Sequence, residues 1–208
     1  MPADKRSLKR RANSVEFSFK VSCGGPNTIM KTISQFAQVI QLGTPVLRKK
    51  AKIIKNIQDP EIKKLTNNLL KILMKVNGVG MAAPQLNKSL RLFIVASHPN
   101  PRYPKAPYMK PTAVINPKIL SHNNEKKKDW EGCLSVPGVR ALVPRYTEIK
   151  VEYTTKQGRK VRKIYKDFIA RIFQHEYDHL EGLVFLDRIE STKDIISEKE
   201  YQKLMRKK

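Results

Sequence analysis

Two histidines and a glutamate stand together as His175-Glu176-Tyr177-Asp178-His179. On a helix, side chains four apart project from one face a turn apart, so both imidazoles can reach one metal ion. Glu176 is then placed to take a proton from water activated by that ion. Chance alone gives such a pattern in well under ~1% of chains this size. A tetrahedral catalytic site needs a third protein ligand and one open position. No further histidine follows: Leu180 to Asp187 reads as a turn into a strand, and His98 and His122 fall in loop-like segments. Cys133, within Trp130-Glu131-Gly132-Cys133-Leu134-Ser135-Val136-Pro137-Gly138, is the better candidate. A lone cysteine is ordinarily a small buried core residue. Here Gly132 permits close backbone approach, and Glu131 and Ser135 bring polar groups that a plain core strand would not carry.

The elements that must position these residues follow from local patterns. Asp167 reads as the N-cap of the histidine-bearing helix, with Ile169, Ile172, Phe173 and Glu176 on or near one stripe and Gly182 ending it. A second helix opens at Asp59-Pro60, with Ile62, Leu65, Leu69, Ile72, Leu73 and Val76 at helical spacing. It runs into Gly78-Val79-Gly80-Met81-Ala82-Ala83-Pro84-Gln85, where a dinucleotide or P-loop reading fails for want of a preceding strand. Strands are expected at Leu92–Ala96, Thr112–Asn116, Glu148–Thr155 and Val161–Tyr165, with a proline-laden loop from Ser97 to Pro111. The sum is one compact α+β domain, its antiparallel or mixed sheets packed around the central His175–His179 helix.

Three segments carry a specific resemblance. Gly78 to Gln85, Glu131-Gly132-Cys133-Leu134-Ser135 and Gln174-His175-Glu176-Tyr177-Asp178-His179 resemble, in order and spacing, the signatures of the peptide deformylases of type 1, the bacterial and organellar kind. The likeness runs from Gln41-Leu42-Gly43-Thr44-Pro45-Val46-Leu47-Arg48 to the C-terminus. It implies a catalytic domain over 36–208, ending in a C-terminal helix from about 192 to 208, and a basic, disordered N-terminal extension over 1–35.

The resemblance also implies roles. Cys133, His175 and His179 would hold one divalent ion, normally ferrous iron, although such a donor set also tolerates zinc, nickel and cobalt. Glu176 would serve as the base, and Gln85 and the Leu134 backbone N–H as oxyanion donors, in hydrolysis of N-formylmethionyl nascent peptides to formate and a free amino terminus. Val79 and Gly80 would crowd out acyl groups bulkier than formyl. Arg140 would contact the substrate backbone. Phe168, Ile172 and the stem of Arg171 would line the methionine pocket, and Arg145 would pair with Asp178, with Glu131 bonding within the cysteine loop.

Composition bears on partners. The formal charge of +24 at pH 7 favours polyanions, and for a deformylase the natural polyanion is ribosomal RNA near the exit tunnel. The C-terminal segment Ser197 to Lys208 starts acidic and ends basic, as a dipole-matched helix does, and is the expected ribosome contact; a solvated helix explains the same residues. Two cysteines make no disulfide framework, no apolar run is long enough to span a membrane, and a monomeric bacterial cytoplasmic enzyme is expected. Met1 to about Asn27, with Lys5-Arg6 and Lys9-Arg10-Arg11, also suits a transit peptide for a mitochondrion or plastid, or translated sequence upstream of a start at Met30. Two rivals remain. A general peptidase lacks its downstream ligand, and an RNA-binding protein with a structural zinc lacks a fourth closing ligand nearby.

Overall fold

Asp59 accepts the backbone N–H of Glu61 at 2.8 Å, and Pro60 occupies the first turn of helix α1 (Pro60–Lys75). The computed structural model describes residues 39–100 and 103–206; the expectations for the N-terminal extension, including a start at Met30, lie outside them. Ile62, Leu65, Leu69, Ile72 and Leu73 form the buried stripe of α1.

That stripe packs on a five-stranded antiparallel sheet of order β1-β2-β3-β6-β7: β1 (Gly80–Ala82), β2 (Leu92–Ser97), β3 (Met109–His122), β6 (Glu148–Thr154) and β7 (Lys160–Lys166). Every residue of β2 is buried, because helices cover both its faces. Leu92, Ile94 and Ala96 face α1, whereas Phe93 and Val95 face helix α2 (Asp167–Leu180). Period-two alternation therefore divides one strand between two cores. On the α2 side, Phe93 meets Phe173 edge-on with ring centroids 5.0 Å apart.

A second antiparallel sheet has the order β4-β5-β8: β4 (Lys126–Cys133), β5 (Val136–Tyr146) and β8 (Ile195–Ser197). The sequence reading assigned none of these strands. Lys126, Lys127, Lys128 and Asp129 give β4 an exposed, charged first half with no apolar alternation. Pro137 and Pro144 argue against a central strand, yet β8 pairs only with Val139, Arg140 and Ala141, so both prolines sit where β5 is an edge on that side. Helix α2 lies between the two sheets and contacts both.

Three local expectations change. Asp167 has φ 47° and opens α2 instead of capping it; the cap position falls on Lys166, which makes no side-chain cap bond. Gly182 does end α2, with φ 78°, and a Cβ there would strike the Arg48 backbone. The segment beyond it forms a 3-10 turn at Phe185–Arg188, not a strand, seating Val184 and Phe185 against Val136, Ala141 and Val143. The C-terminal helix, α3 (Glu198–Arg206), is shorter than expected, because residues 195–197 are used as β8.

Leu69 is fully buried and Met74 is 57% exposed on the same helix. Leu69→Ala is expected to lower unfolding free energy by about 2–5 kcal/mol in urea titrations, and Met74→Ala by less than about 0.5 kcal/mol. Equal effects would contradict the assigned α1 face.

Candidate metal centre and active site

Strands β4 and β5 form a hairpin whose turn is Leu134-Ser135, and the pairing slips between Glu131 and Cys133. Such an irregularity re-aims a side chain. Here Cys133 Sγ comes within 3.3 Å of His179 Nε2, on the helix. Donor atoms of Cys133, His175 and His179 all lie within 4.8 Å of one another. Metal–sulfur bonds of about 2.3 Å and metal–nitrogen bonds of about 2.1 Å can span that triangle.

Glu131 organises the cluster. Its buried carboxylate accepts from Arg145 Nε and Nη2 at 2.9 and 3.0 Å, from Arg171 Nη1 at 2.8 Å and from His175 Nδ1 at 2.8 Å. Donating from Nδ1 leaves His175 Nε2 to face the cysteine and an ion. Burial alone would raise the Glu131 carboxyl, but the Arg145 charge and the hydrogen bonds from His175 and Arg145 hold it well below the usual range. Arg145 also donates to Asp178 at 2.6 Å, and Arg188 donates to the same carboxylate. The Asp178–Arg145 pair is thus formed, while Glu131 reaches well beyond the local loop bonding expected of it.

The thiol responds to these neighbours. Burial would raise Cys133, yet the His179 charge and hydrogen bonds from His175 and His179 lower it well below the ordinary thiol value. A thiolate with two imidazoles is a donor set for a borderline-soft divalent ion. Glu176 is 4% exposed, and burial pushes its carboxyl up to about 7 against the pull of His175 and His179. Its Oε2 has no hydrogen-bond partner among the described residues, as suits a carboxylate kept for a water or substrate donor. Gly80 makes room for it: a Cβ there would lie 2.2 Å from Glu176 Oε1.

Gln85 is buried behind the cluster. Its Oε1 accepts from the Ala82 N–H at 2.9 Å, which turns Nε2 toward Cys133 Sγ and Ser135 Oγ, each at 3.3 Å. The opening segment clamps both loops, since Ile40 N–H donates to the Gln85 carbonyl and Leu42 N–H to that of Ser135. Leu134 sits half-buried at the hairpin tip between Cys133 and Ser135, and Val79 is half-buried beside Gly80.

The residues expected around the substrate are more dispersed. Phe168 is half-buried and packs on Tyr103 with centroids 4.8 Å apart, an aromatic partner that the sequence reading missed. Ile172 belongs to the α2 core. Arg171 spends its head group on Glu131 and the Val143 carbonyl, so only its stem is available to a pocket. Arg140 ion-pairs with Glu198 of α3. His98 bonds to Asn77 and His122 stacks on Tyr146, both away from the cluster.

Known proteins are similar to this chain in sequence and fold. A family model described as polypeptide deformylase matches residues 36–194. A protein named peptide deformylase 2, from Nostoc sp. (strain PCC 7120), is 56% identical over 169 residues, 81% of this chain and 94% of that protein. Another of that name, from Shewanella oneidensis, is 42% identical over 147 residues, 71% of this chain and 81% of that one. A Met-Ala-Ser-bound class I type b peptide deformylase from Acinetobacter baumannii superposes with a TM-score of 0.71 at 42% identity, covering 73% of this chain and 96% of that chain. One from Synechococcus elongatus, in complex with actinonin, gives 0.66 at 35% identity over 75% of this chain and 82% of its own.

Glu131→Gln keeps the side chain's shape and removes the charge that three basic groups share. Metal affinity, read by competition with a chromophoric chelator, is expected to fall about 10- to 100-fold. Unfolding free energy should drop by roughly 3 kcal/mol as buried arginines lose their counter-charge. Unaltered affinity would show that Glu131 does not orient His175.

Proposed function

The chain belongs to the polypeptide deformylase family, metal-dependent hydrolases that remove the N-formyl group from nascent proteins, and we propose that Cys133, His175 and His179 hold the ion while Glu176, Gln85 and Leu134 act on the formyl group. The observation that carries this reading is the buried Glu176 carboxylate, walled by Gly80 and lying beside the thiolate–imidazole cluster. We assign ferrous iron to the site; zinc, nickel and cobalt are compatible with the same donors. When bound, such an ion supplies Lewis acidity that lowers the pKa of water and polarises a carbonyl.

The protein's own groups do the rest. Glu176 accepts a proton from the water that attacks the formyl carbon, and an acceptor near pH 7 is matched to that task. Charge developing on the formyl oxygen is met by Gln85 Nε2, whose direction Ala82 fixes, and by the Leu134 N–H. The carbon–nitrogen bond then breaks, Glu176 hands its proton to the departing amine, and formate leaves. Val79 and Gly80 press on the acyl carbon, so a formyl hydrogen fits where a methyl does not. Phe168, Ile172 and the Arg171 stem take the methionine side chain, with Arg140 on the peptide backbone beyond it. That Met-Ala-Ser is bound in the Acinetobacter relative supports a peptide running outward from methionine.

We further propose that the enzyme works as a cytoplasmic monomer at the ribosome, with α3 and its Lys199, Lys203 and Arg206 meeting ribosomal RNA; an organelle is the alternative compartment. The charge of +24 and a site completed within one chain support this. Among the described residues, no helix is long and apolar enough to cross a membrane.

Protein purified anaerobically with ferrous iron should release formate from formyl-Met-Ala-Ser and leave the acetylated peptide intact. Glu176→Ala should retain metal and lose roughly 10²- to 10⁴-fold in kcat. No release despite bound metal would overturn the assignment of these residues. Gly80→Ala should also depress kcat, by about 100-fold, because the new methyl displaces Glu176. Unimpaired turnover in that variant would remove Gly80 from the site.

A further inference from the structure

Beyond residue 194, where the family match ends, the chain folds back onto the site hairpin. Strand β8 pairs with β5 through Val139↔Ser197, Arg140↔Ile196 and Ala141↔Ile195, and α3 begins at the next residue. This places Glu198 against Arg140, which donates to its two carboxylate oxygens from Nε at 2.5 Å and Nη2 at 3.3 Å. Gln202 donates to the same carboxylate at 2.7 Å and steadies it.

Tyr201, three residues on, puts its ring 4.9 Å from the Arg140 guanidinium carbon. That ring is seated edge-on against Trp130 of β4, with centroids 5.8 Å apart. Arg140 is consequently only 6% exposed, although an arginine on a two-sided hairpin ordinarily reaches into solvent. Its remaining amino group, Nη1, lies over Gly132, where a Cβ would sit 2.7 Å from it. Gly132 adjoins Cys133. A flexible guanidinium is therefore locked by a fork, an aromatic plate and a bare backbone, one residue from the ligand cysteine.

We propose that Glu198, seconded by Tyr201, is a positioning residue that holds Arg140 over the hairpin for the peptide backbone beyond formylmethionine, so that residues 195–206 set affinity for longer formyl-peptides. This rests on the reading of Arg140 as a substrate contact. Locking the arginine before substrate arrives removes the ordering cost that binding would otherwise bear. Formyl transfer to water happens elsewhere in the site, so the effect falls on KM and grows with peptide length.

The test compares formyl-Met-Ala-Ser with formylmethionine amide, which lacks the outer residues, using full-length iron-loaded protein. Glu198→Gln is expected to raise the tripeptide-to-amide KM ratio roughly fivefold or more, with kcat within about twofold. Arg140→Ala should raise the ratio at least as far, and the double variant should add nothing to it. Leu204→Ala, on the exposed side of α3, should change neither constant. An increase with Arg140→Ala but none with Glu198→Gln would overturn the positioning role and leave Arg140 as a contact. No increase with Arg140→Ala would remove the contact itself, and the proposal with it. A fall in kcat with both substrates in Glu198→Gln would make the pair a support of the hairpin, which also overturns the proposal.

Discussion

A single buried carboxylate joins the two halves of the site. Glu131 lies on the hairpin and His175 on the helix, and the hydrogen bond between them sets the distance between Cys133 and the two imidazoles. Burying an unpaired carboxylate costs several kcal/mol. Arg145 and Arg171 offset that cost on the Glu131 side, and Asp178 and Arg188 extend the alternation of charge along the helix. Such a network gives little net stability, but it has one low-energy arrangement, because every misregister strands a charge. The hairpin is consequently docked in a single register, and the imidazole tautomer is chosen with it.

Around that clamp the fold supplies dryness and rigidity. Helix α2 is sealed by β2 on one flank and by the three-stranded sheet on the other, so its polar residues must be satisfied internally. Gln174 is, by the Tyr146 backbone and the Ala170 carbonyl. Two groups are exceptions: Glu176 Oε2 and His179 Nδ1 lack any partner among the described residues, and burial raises the Glu176 carboxyl to about 7. This is a local cost in stability at the carboxyl proposed as the base. Gly80 completes the arrangement by leaving the strand bare where that carboxyl lies against it.

How far the sequence discloses all this depends on the range of each interaction. Both long helices were legible because Ile62, Leu65, Leu69 and Ile169, Ile172, Phe173 repeat at helical spacing, and β2, β6 and β7 because their apolar residues cluster or alternate. Strand β4 was not, since lysines fill its first half and its stability comes from pairing with β5. The 3-10 turn after Gly182 carries the apolar run of a strand but spends it on a small local core. At the site, Cys133, His175, Glu176 and His179 announce themselves by residue type and spacing. Glu131 gathering Arg145, Arg171 and His175, Tyr103 beside Phe168, and Glu198 on Arg140 do not, because partners 14 to 65 positions apart leave no local trace.

The central claim is that a thiolate from the hairpin and two imidazoles from the helix converge on one ion. Electronic absorption of the cobalt-substituted protein tests it most directly, because a sulfur-to-cobalt charge-transfer band appears only when a thiolate is bound. One equivalent of cobalt per chain with a single-thiolate band is expected, lost in Cys133→Ser and altered in His175→Ala and His179→Ala. A cobalt site without that band, or a band surviving Cys133→Ser, would contradict the convergence of hairpin and helix on one ion.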